Sequence, residues 1–484
     1  MNFIINGFSD VIYAPVVANI LNRFEINRCH IIYGGLKNDI QANAEVFFHD
    51  AADLSLGNYN VNWNQVAPLD EELIESMSDC ERIVLKMMDR HLYIPKYKDR
   101  KRLYLRHLRY WNHVINEQKI DLFLSSAPAH EVYDFIIYSL CKLKKVPTIC
   151  LFQIMAADVI MIIDDWERII PEIEEKYQKL LETFKFIPES EIELTGGLKN
   201  DFDLQMSKND ATPHYMIAEN KKLTFFDGLV NNMHNFKKNN PISLIRRLPS
   251  TIGRMKYDVE KKINEKRLFD FYERNVTELN TKEKFIYFPL HMQPEATTSP
   301  AAGVFVDQIL TAQMVASFLP KDVYLYVKEH PFQTIYGRDI EFYKELLDLP
   351  QVRLVSKTFN TFELISNSIA VATATGTAGW EALYRGKPVL LFGHCYYQYV
   401  KGVFAIRTND DCRQALRKII VENFKPTTKD IKIYLKALEE YTINGFIDPV
   451  YQTVSGVTDL ASNKNIISKL TSRIELVCLI KKNG

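Results

Sequence analysis

Two short apolar runs that end in turns constrain this chain more than anything else in it: Tyr324 to Val327 followed by Lys328-Glu329-His330-Pro331, and Ile369 to Ala372 followed by Thr373-Ala374-Thr375-Gly376-Thr377. Each run is short, apolar and closed by turn residues, which is the pattern of a fully buried strand. The second passes directly into a helical pattern from about Ala378 through Gly379-Trp380-Glu381-Ala382-Leu383, and then into Gly386-Lys387-Pro388-Val389. Strand, small-residue turn and helix in that order form a unit of a parallel α/β sheet, and such sheets bind ligands beyond the carboxyl ends of their strands. Lys328 and His330 therefore stand at a ligand-facing edge, where cations suit a phosphate. The Thr/Gly turn offers backbone N–H groups and hydroxyls at a helix N-terminus, a favourable place for an anion.

At 484 residues the chain exceeds what one core usually supports, so two domains are expected. Formal net charge is zero, which excludes the broad basic field of a nucleic-acid binder. Seven cysteines without a Cys-x-x-Cys pair argue against a disulfide framework and a structural zinc site, and point to a reducing cytoplasm. The N-terminus reads as a first strand and turn, not as a signal peptide, and no apolar stretch is long enough to span a bilayer.

Asn2 to Ile5 and Cys29 to Tyr33 read as strands around an amphipathic segment, Ala14 to Asn22, a β-α-β opening. Glu71 to His91 and Arg100 to Gln118 carry apolar residues at helical spacing. A second unit runs from the strand Ile120 to Ser125 through the turn Ser126-Ala127-Pro128-Ala129-His130-Glu131 and a helix to Leu143, then the strand Pro147 to Phe152. That turn also sits at a ligand-facing edge. From about 166 to 280 long charged helical patterns, Glu167 to Phe184 and Arg254 to Leu279, indicate a helical insertion. Phe285 to Pro289 opens a new α/β unit, which continues through a helix from Asp307 to Phe318, and the tail from Thr428 to Gly484 has two helical segments around Tyr441 to Pro449. The expected organisation is a first Rossmann-like domain over 1–280, a second over 281–430, and C-terminal helices over 431–484.

The His330-Pro331 pair, the Thr373 to Thr377 turn and the Gly-Trp-Glu-Ala-Leu and Gly-Lys-Pro-Val segments, in this order and spacing, resemble the nucleotide-sugar half of glycosyltransferases with two facing Rossmann-like domains, the GT-B architecture. They are most similar to bacterial capsule and surface-polysaccharide biosynthesis proteins, a group that includes the Kdo transferases, and the His-Pro pair also resembles that of the bacterial sialyltransferases. The resemblance implies that His330-Pro331 and Thr375 with Thr377 hold the phosphate of a CMP-sugar. It also implies that a Gln-Pro-Glu loop, here Gln293 and Glu295, contacts the donor, and that the last helix crosses back to the first domain. A CMP-activated acidic sugar such as Kdo is the preferred donor, and a glycan or lipid-linked species the acceptor. The same scaffold occurs in polymerases using CDP-glycerol and in UDP-sugar 2-epimerases, and a non-enzymatic assembly or export partner is a third class.

Glycosyl transfer develops negative charge on the leaving nucleotide, which Lys328 and His330 are placed to stabilise; the alternative is a solvated lysine and a turn histidine. Thr373, Thr375, Gly376 and Thr377 share that role against an alternative of helix capping. Glu381 stands where it reaches a ribose hydroxyl or a base, or else simply complements a helix N-terminus. In the first domain Glu131, with His130 and Asp134 beside it, is the candidate base for the acceptor hydroxyl, against the alternative of a helix cap. The aromatic segment Tyr396-Tyr397-Gln398-Tyr399 packs or lines the cleft. Asp164-Asp165 fits capping of a helix at Trp166, so no metal and no cofactor are expected. The basic stretch Lys237 to Arg267, with interleaved apolar residues, is either a solvated helix face or a contact with an anionic membrane leaflet.

Overall fold

The computed structural model describes the chain except residues 9–10, 35–43, 91–95, 155–157, 208–261, 294, 334–336, 448 and 484. Most of the basic stretch Lys237 to Arg267, and with it the membrane-contact reading, lies outside the described residues, as does Pro294. Thirteen described strands form two sheets.

The first sheet contains β1 (Asn2–Asn6), β2 (Arg28–Tyr33), β3 (Glu45–Asp50), β4 (Leu122–Ser125), β5 (Thr148–Gln153), β6 (Val159–Ile163) and β13 (Thr442–Asn444), in the spatial order β13-β6-β5-β4-β1-β2-β3. Its first five strands are parallel, while β6 and β13 run antiparallel to their neighbours. The second sheet contains β7 (Lys284–Pro289), β8 (Val323–Lys328), β9 (Val352–Val355), β10 (Ala370–Thr373), β11 (Val389–Leu391) and β12 (Val403–Ala405), all parallel, in the order β12-β11-β10-β7-β8-β9. Read from the other edge this is the doubly wound order 3-2-1-4-5-6, with its switch point between β7 and β10. The first sheet switches in the same way between β1 and β4.

Both sheets are buried on both faces, which is why their central strands are continuous apolar runs. In β7, Phe285 and Tyr287 enter one core and Ile286 and Phe288 the other, the alternation a strand imposes. In β1, Ile4 packs under the helices 97–117 and 132–143, while Phe3 and Ile5 pack under the helix 14–23 and the C-terminal helix Asp459–Asn483. The core on the Phe285 face is shared: it runs from Cys150 and Met161 through Tyr177 and Phe202 to Trp380 and Tyr434. The helices Glu172–Thr183 and Gly196–Met206, from the region read as an insertion, thereby bridge the two sheets. The C-terminal helix returns to the first sheet's unit, with Arg23 paired to Glu475 at 2.8 Å and Ile466, Leu470 and Ile474 buried among Val16 and Ile20.

Several elements differ from the sequence reading. The helix expected at Trp166 starts at Glu172, because Asp165 caps a turn at Glu167, Ile169 adopts φ +58 and Pro171 then sets the first turn. The pattern Glu71 to His91 breaks at Met77, whose carbonyl is taken by the buried Tyr104 hydroxyl at 3.1 Å. Near Tyr441 the chain makes the edge strand β13 between two helices, Thr428–Leu438 and Asp459–Asn483.

Candidate active site at the two sheet edges

At the second sheet's switch point the turn after β7 and the turn after β10 meet through His291. Its Nε2 lies 3.0 Å from Thr373 Oγ1 and accepts from the backbone N–H of Ala374 at 3.3 Å and of Thr375 at 3.4 Å. Thr373 Oγ1 in turn accepts from Gly376 N–H at 3.0 Å, so the hydroxyl proton goes to the imidazole. Burial, with the charges of His330 and Arg338 nearby, lowers the His291 pKa to about 3, and the ring is a neutral acceptor that fixes the Thr/Gly turn. Gly376 is required by this contact: a Cβ there would stand 2.8 Å from His291 Cε1.

Lys328 and His330 leave β8 at the same edge. Lys328 Nζ donates to Thr361 Oγ1 at 2.8 Å, and desolvation lowers its pKa to about 8, so it is mostly charged at neutral pH. His330 accepts from Phe332 N–H on Nδ1 at 3.3 Å, and burial followed by the charges of Lys328 and Arg338 brings its pKa to about 4. An anion seated beside it would oppose both effects and raise that value. Pro331 is exposed and holds the turn after His330.

Beneath these groups lies a buried polar scaffold that sequence reasoning missed. Arg338 and Glu329, both with fully buried side chains, pair at 2.9 Å; Tyr343 donates to the same carboxylate at 2.7 Å, and His330 N–H to its other oxygen at 2.6 Å. Arg338 also donates to the His291 carbonyl at 2.9 Å and to Gln293 Oε1. Gln293 is further bound through its backbone to the Gln333 side chain at 2.8 and 2.9 Å, and through its amide to the Val306 carbonyl. The structure thus places Gln293 in the scaffold and Glu295 in a turn with Thr297, 3.0 Å away. The only signals in the sequence were that Glu329 lies between two edge cations and that His291 follows a strand by two residues.

Thr375 donates to the Thr297 carbonyl at 2.8 Å, tying the two turns together. Thr377 opens the helix Thr377–Tyr384 and bonds the Glu381 carboxylate. Glu381 itself turns inward, 5% exposed, and desolvation raises its pKa to about 7, so it lies below the turn and not at its rim. Tyr396 and Tyr397 pack in the shared core, and Gly379 leaves room for the Tyr397 ring, whose hydroxyl donates to the Gly376 carbonyl. Tyr399 instead donates at 2.7 Å to the Arg168 carbonyl of the first sheet's unit.

The first sheet's switch point gathers the other candidates. Asp134 is buried and accepts from Glu131 N–H at 2.8 Å, His130 N–H at 3.4 Å and Asn6 Nδ2 at 3.3 Å. Desolvation raises its pKa to about 7. Glu131 is the N-cap of the helix Val132–Leu143, in a capping box with Asp134. Its own side chain is 37% exposed and lies 3.8 Å from His130 Nε2, while His130 Nδ1 donates to the Pro128 carbonyl at 2.7 Å. Asp134 therefore serves the fold, and Glu131 presents a carboxylate at the edge. Asp164 pairs with Arg473 and Asp165 with Lys142 at 2.8 Å. Among the described residues no three His, Cys, Asp or Glu side chains gather to hold a metal, and no helix is long and apolar enough to cross a membrane.

Residues 253–424 match the family model described as capsule polysaccharide biosynthesis protein. Among solved structures, the chain is similar to Thermosulfurimonas dismutans KpsC, beta Kdo 2,7 transferase (13% identity, 77% of this chain and 90% of that chain, TM-score 0.31). It is also similar to the UDP-GlcNAc 2-epimerase from Methanocaldococcus jannaschii (11% identity, 91% and 100%, TM-score 0.27) and to a glycosyltransferase from Rickettsia africae ESF-5 (12% identity, 100% and 99%, TM-score 0.26). At these scores the structural likenesses carry no argument of their own. No curated protein matches the chain. The family match over residues 253–424, which hold the second sheet's unit, bears out the resemblance to capsule polysaccharide biosynthesis proteins there.

Proposed function

We propose that this protein is a glycosyltransferase that moves a sugar, preferably a CMP-activated acidic sugar such as Kdo, from its nucleotide onto a glycan or lipid-linked acceptor, with the lipid-linked case placing it at the inner face of the plasma membrane. The observation that carries the reading is the convergence of Lys328, His330 and the His291-braced Thr/Gly turn at one switch point. The phosphate sits at the helix N-terminus and draws the Thr375 and Thr377 hydroxyls from the Thr297 carbonyl and the Glu381 carboxylate, with Lys328 as its countercharge. The acceptor hydroxyl attacks the anomeric carbon, the bond from that carbon to the phosphate oxygen breaks, and the electron pair leaves with CMP. Lys328 and a His330 N–H stabilise the departing phosphate. Glu131 takes the proton of the attacking hydroxyl.

The test is a thermal-shift comparison of CMP, CDP, UDP and GDP, because a ligand that binds only the folded state raises apparent stability. CMP and CMP-Kdo are expected to raise Tm most, and the rise to vanish in Lys328→Ala. A response to UDP alone would move the donor to another nucleotide class. Silence with all four would favour a non-enzymatic assembly role.

A further inference from the structure

Away from the nucleotide turn, the helix Tyr97–Glu117 carries Arg102, Arg106 and Arg109 at i, i+4 and i+7, a spacing that puts all three on one face. Two adjoining clefts of about 450 and 430 Å³ lie along that face, and Arg102 and Arg106 line both. Both are shallow and open to solvent, as a site for an extended chain would be. The remaining walls are Leu56, Gly57, Asn58 and Leu103 in one, and Trp63, Pro68, Leu69 and Leu105 in the other.

The clefts are built features. The Arg106 guanidinium lies 4.4 Å from the Trp63 ring centroid and its Nε donates to the Gly57 carbonyl at 2.5 Å. Arg109 is held by the carbonyls of Ala67, Trp63 and Val66 at 3.0, 2.9 and 2.5 Å. Gly57 adopts φ +71, and a Cβ there would meet Leu103 at 2.6 Å, so the wall closes only with glycine. Among the described residues no carboxylate pairs with Arg102, Arg106 or Arg109. Arg106 and Arg109 are thus held, Arg102 stands exposed beside them, and guanidinium groups match carboxylates in geometry and charge.

The clefts belong to the first sheet's unit: Gly57 follows β3 through the short helix Ala51–Ser55, whose N-cap Asp50 acts with Asp134 and Glu131 on the Tyr133 hydroxyl. A neutral chain with a local cationic cleft of mixed apolar lining is a poor fit for nucleic acid, whose binding needs an extended basic field. It suits a carbohydrate that bears carboxylates, with pyranose C–H faces against Leu56, Leu69 and Leu105.

We propose that the Arg102–Arg106 cleft pair binds an acidic glycan chain through its carboxylates and so holds the growing acceptor on the first sheet's unit. The glycan identity of the ligand rests on the transferase reading above; the anion site does not.

The experiment titrates the full chain with a galacturonic acid decamer, a neutral dextran oligomer of similar length, and phosphatidylglycerol vesicles. Wild-type protein is expected to bind the acidic decamer with an affinity that falls as salt rises, and to ignore the other two. Arg102→Glu should weaken that binding at least tenfold, and Arg102→Ala, a milder change at an exposed side chain, several-fold, with Tm unchanged in both. Equal affinity of the decamer for wild type and both variants, equal binding of the neutral oligomer, or binding to vesicles alone would each overturn the proposal. The CMP thermal shift is measured on the same samples. Silence with CMP, CDP, UDP and GDP alongside intact decamer binding sinks the transferase reading and leaves the cleft, whereas a nucleotide response without decamer binding sinks the cleft alone.

Discussion

His330 is a neutral ring because burial and two neighbouring cations oppose its protonation, and this predicts how it meets a phosphate. A nucleotide anion reverses the local field, so binding near pH 6 to 7 takes up protons, and calorimetry in buffers of different ionisation enthalpy measures that uptake. His330→Ala should abolish the uptake, leave Tm nearly unchanged and slow transfer by about 100-fold, the usual cost of ~3 kcal/mol for one lost leaving-group donor. The stability linkage has a definite sign. His291 and His330 have folded pKa values of about 3 and about 4, below the unfolded value of 6.5. The unfolded chain therefore binds more protons between 6.5 and about 4, and Tm should fall as pH falls through that window. At the first sheet's edge the two carboxylates separate by role. Glu131→Gln should retain CMP binding and lose transfer by ~100- to 10,000-fold if Glu131 is the base. Asp134, raised to about 7, favours the fold below about pH 4 and loses that advantage as pH rises through 7. Asp134→Asn should flatten this pH dependence and lose hydrogen bonds, since both carboxylate oxygens accept N–H groups and the amide has only one acceptor, while Asp134→Ala loses the cap, about 1 kcal/mol.

The turns after β7 and β8 hold their shape through one buried ion pair, Arg338 with Glu329, which reaches His291 and Gln293 together. Arg338→Met leaves the Glu329 carboxylate buried without its cation, a change that typically costs ~3–5 kcal/mol. Urea unfolding should show that loss, with CMP affinity falling because the His291 brace on the Thr/Gly turn loosens; wild-type stability would reassign the pair to a passive role. This scaffold also marks where sequence reading ends. The strands before Lys328 and Thr373 were legible because a sheet buried on both faces demands unbroken apolar runs, and the Thr/Gly turn because few folds need such a run of small residues. The edge strand β3, Glu-Val-Phe-Phe-His-Asp, is partly exposed and mixes polar with aromatic residues. β13 is three residues long, too short to show a period. Nothing in spacing pairs Glu329 with Arg338 across a loop, or turns Gln293 and Glu381 inward, because those outcomes depend on which atoms the fold brings near.

The two sheets are joined by a common core and by a chain that ends where it began. Removing 459–484 would expose the apolar residues of the 14–23 helix that Ile466, Leu470 and Ile474 cover, at about 1.5–3 kcal/mol per fully buried side chain. The truncated chain should lose the first unit's cooperative melting transition while the second sheet's unit, with its own core around Ile286, Leu325 and Leu390, still responds to CMP; calorimetric scans with and without the nucleotide measure both. Across the junction, Trp166 of the first unit stands edge-on to His394 of the second, ring centroids 5.5 Å apart, and the Trp380 indole donates to Asp201 at 3.0 Å. Trp380 lies in the helix that the Thr/Gly turn opens, and the remaining tryptophans, Trp63 and Trp111, sit inside the first unit. Half of the molecule's indoles therefore report on the seam and half do not, so the protein carries its own fluorimeter: emission that shifts on nucleotide addition in wild type, less in Trp166→Phe, and not at all once Trp380→Phe is added would time movement at the junction of the two units without any label.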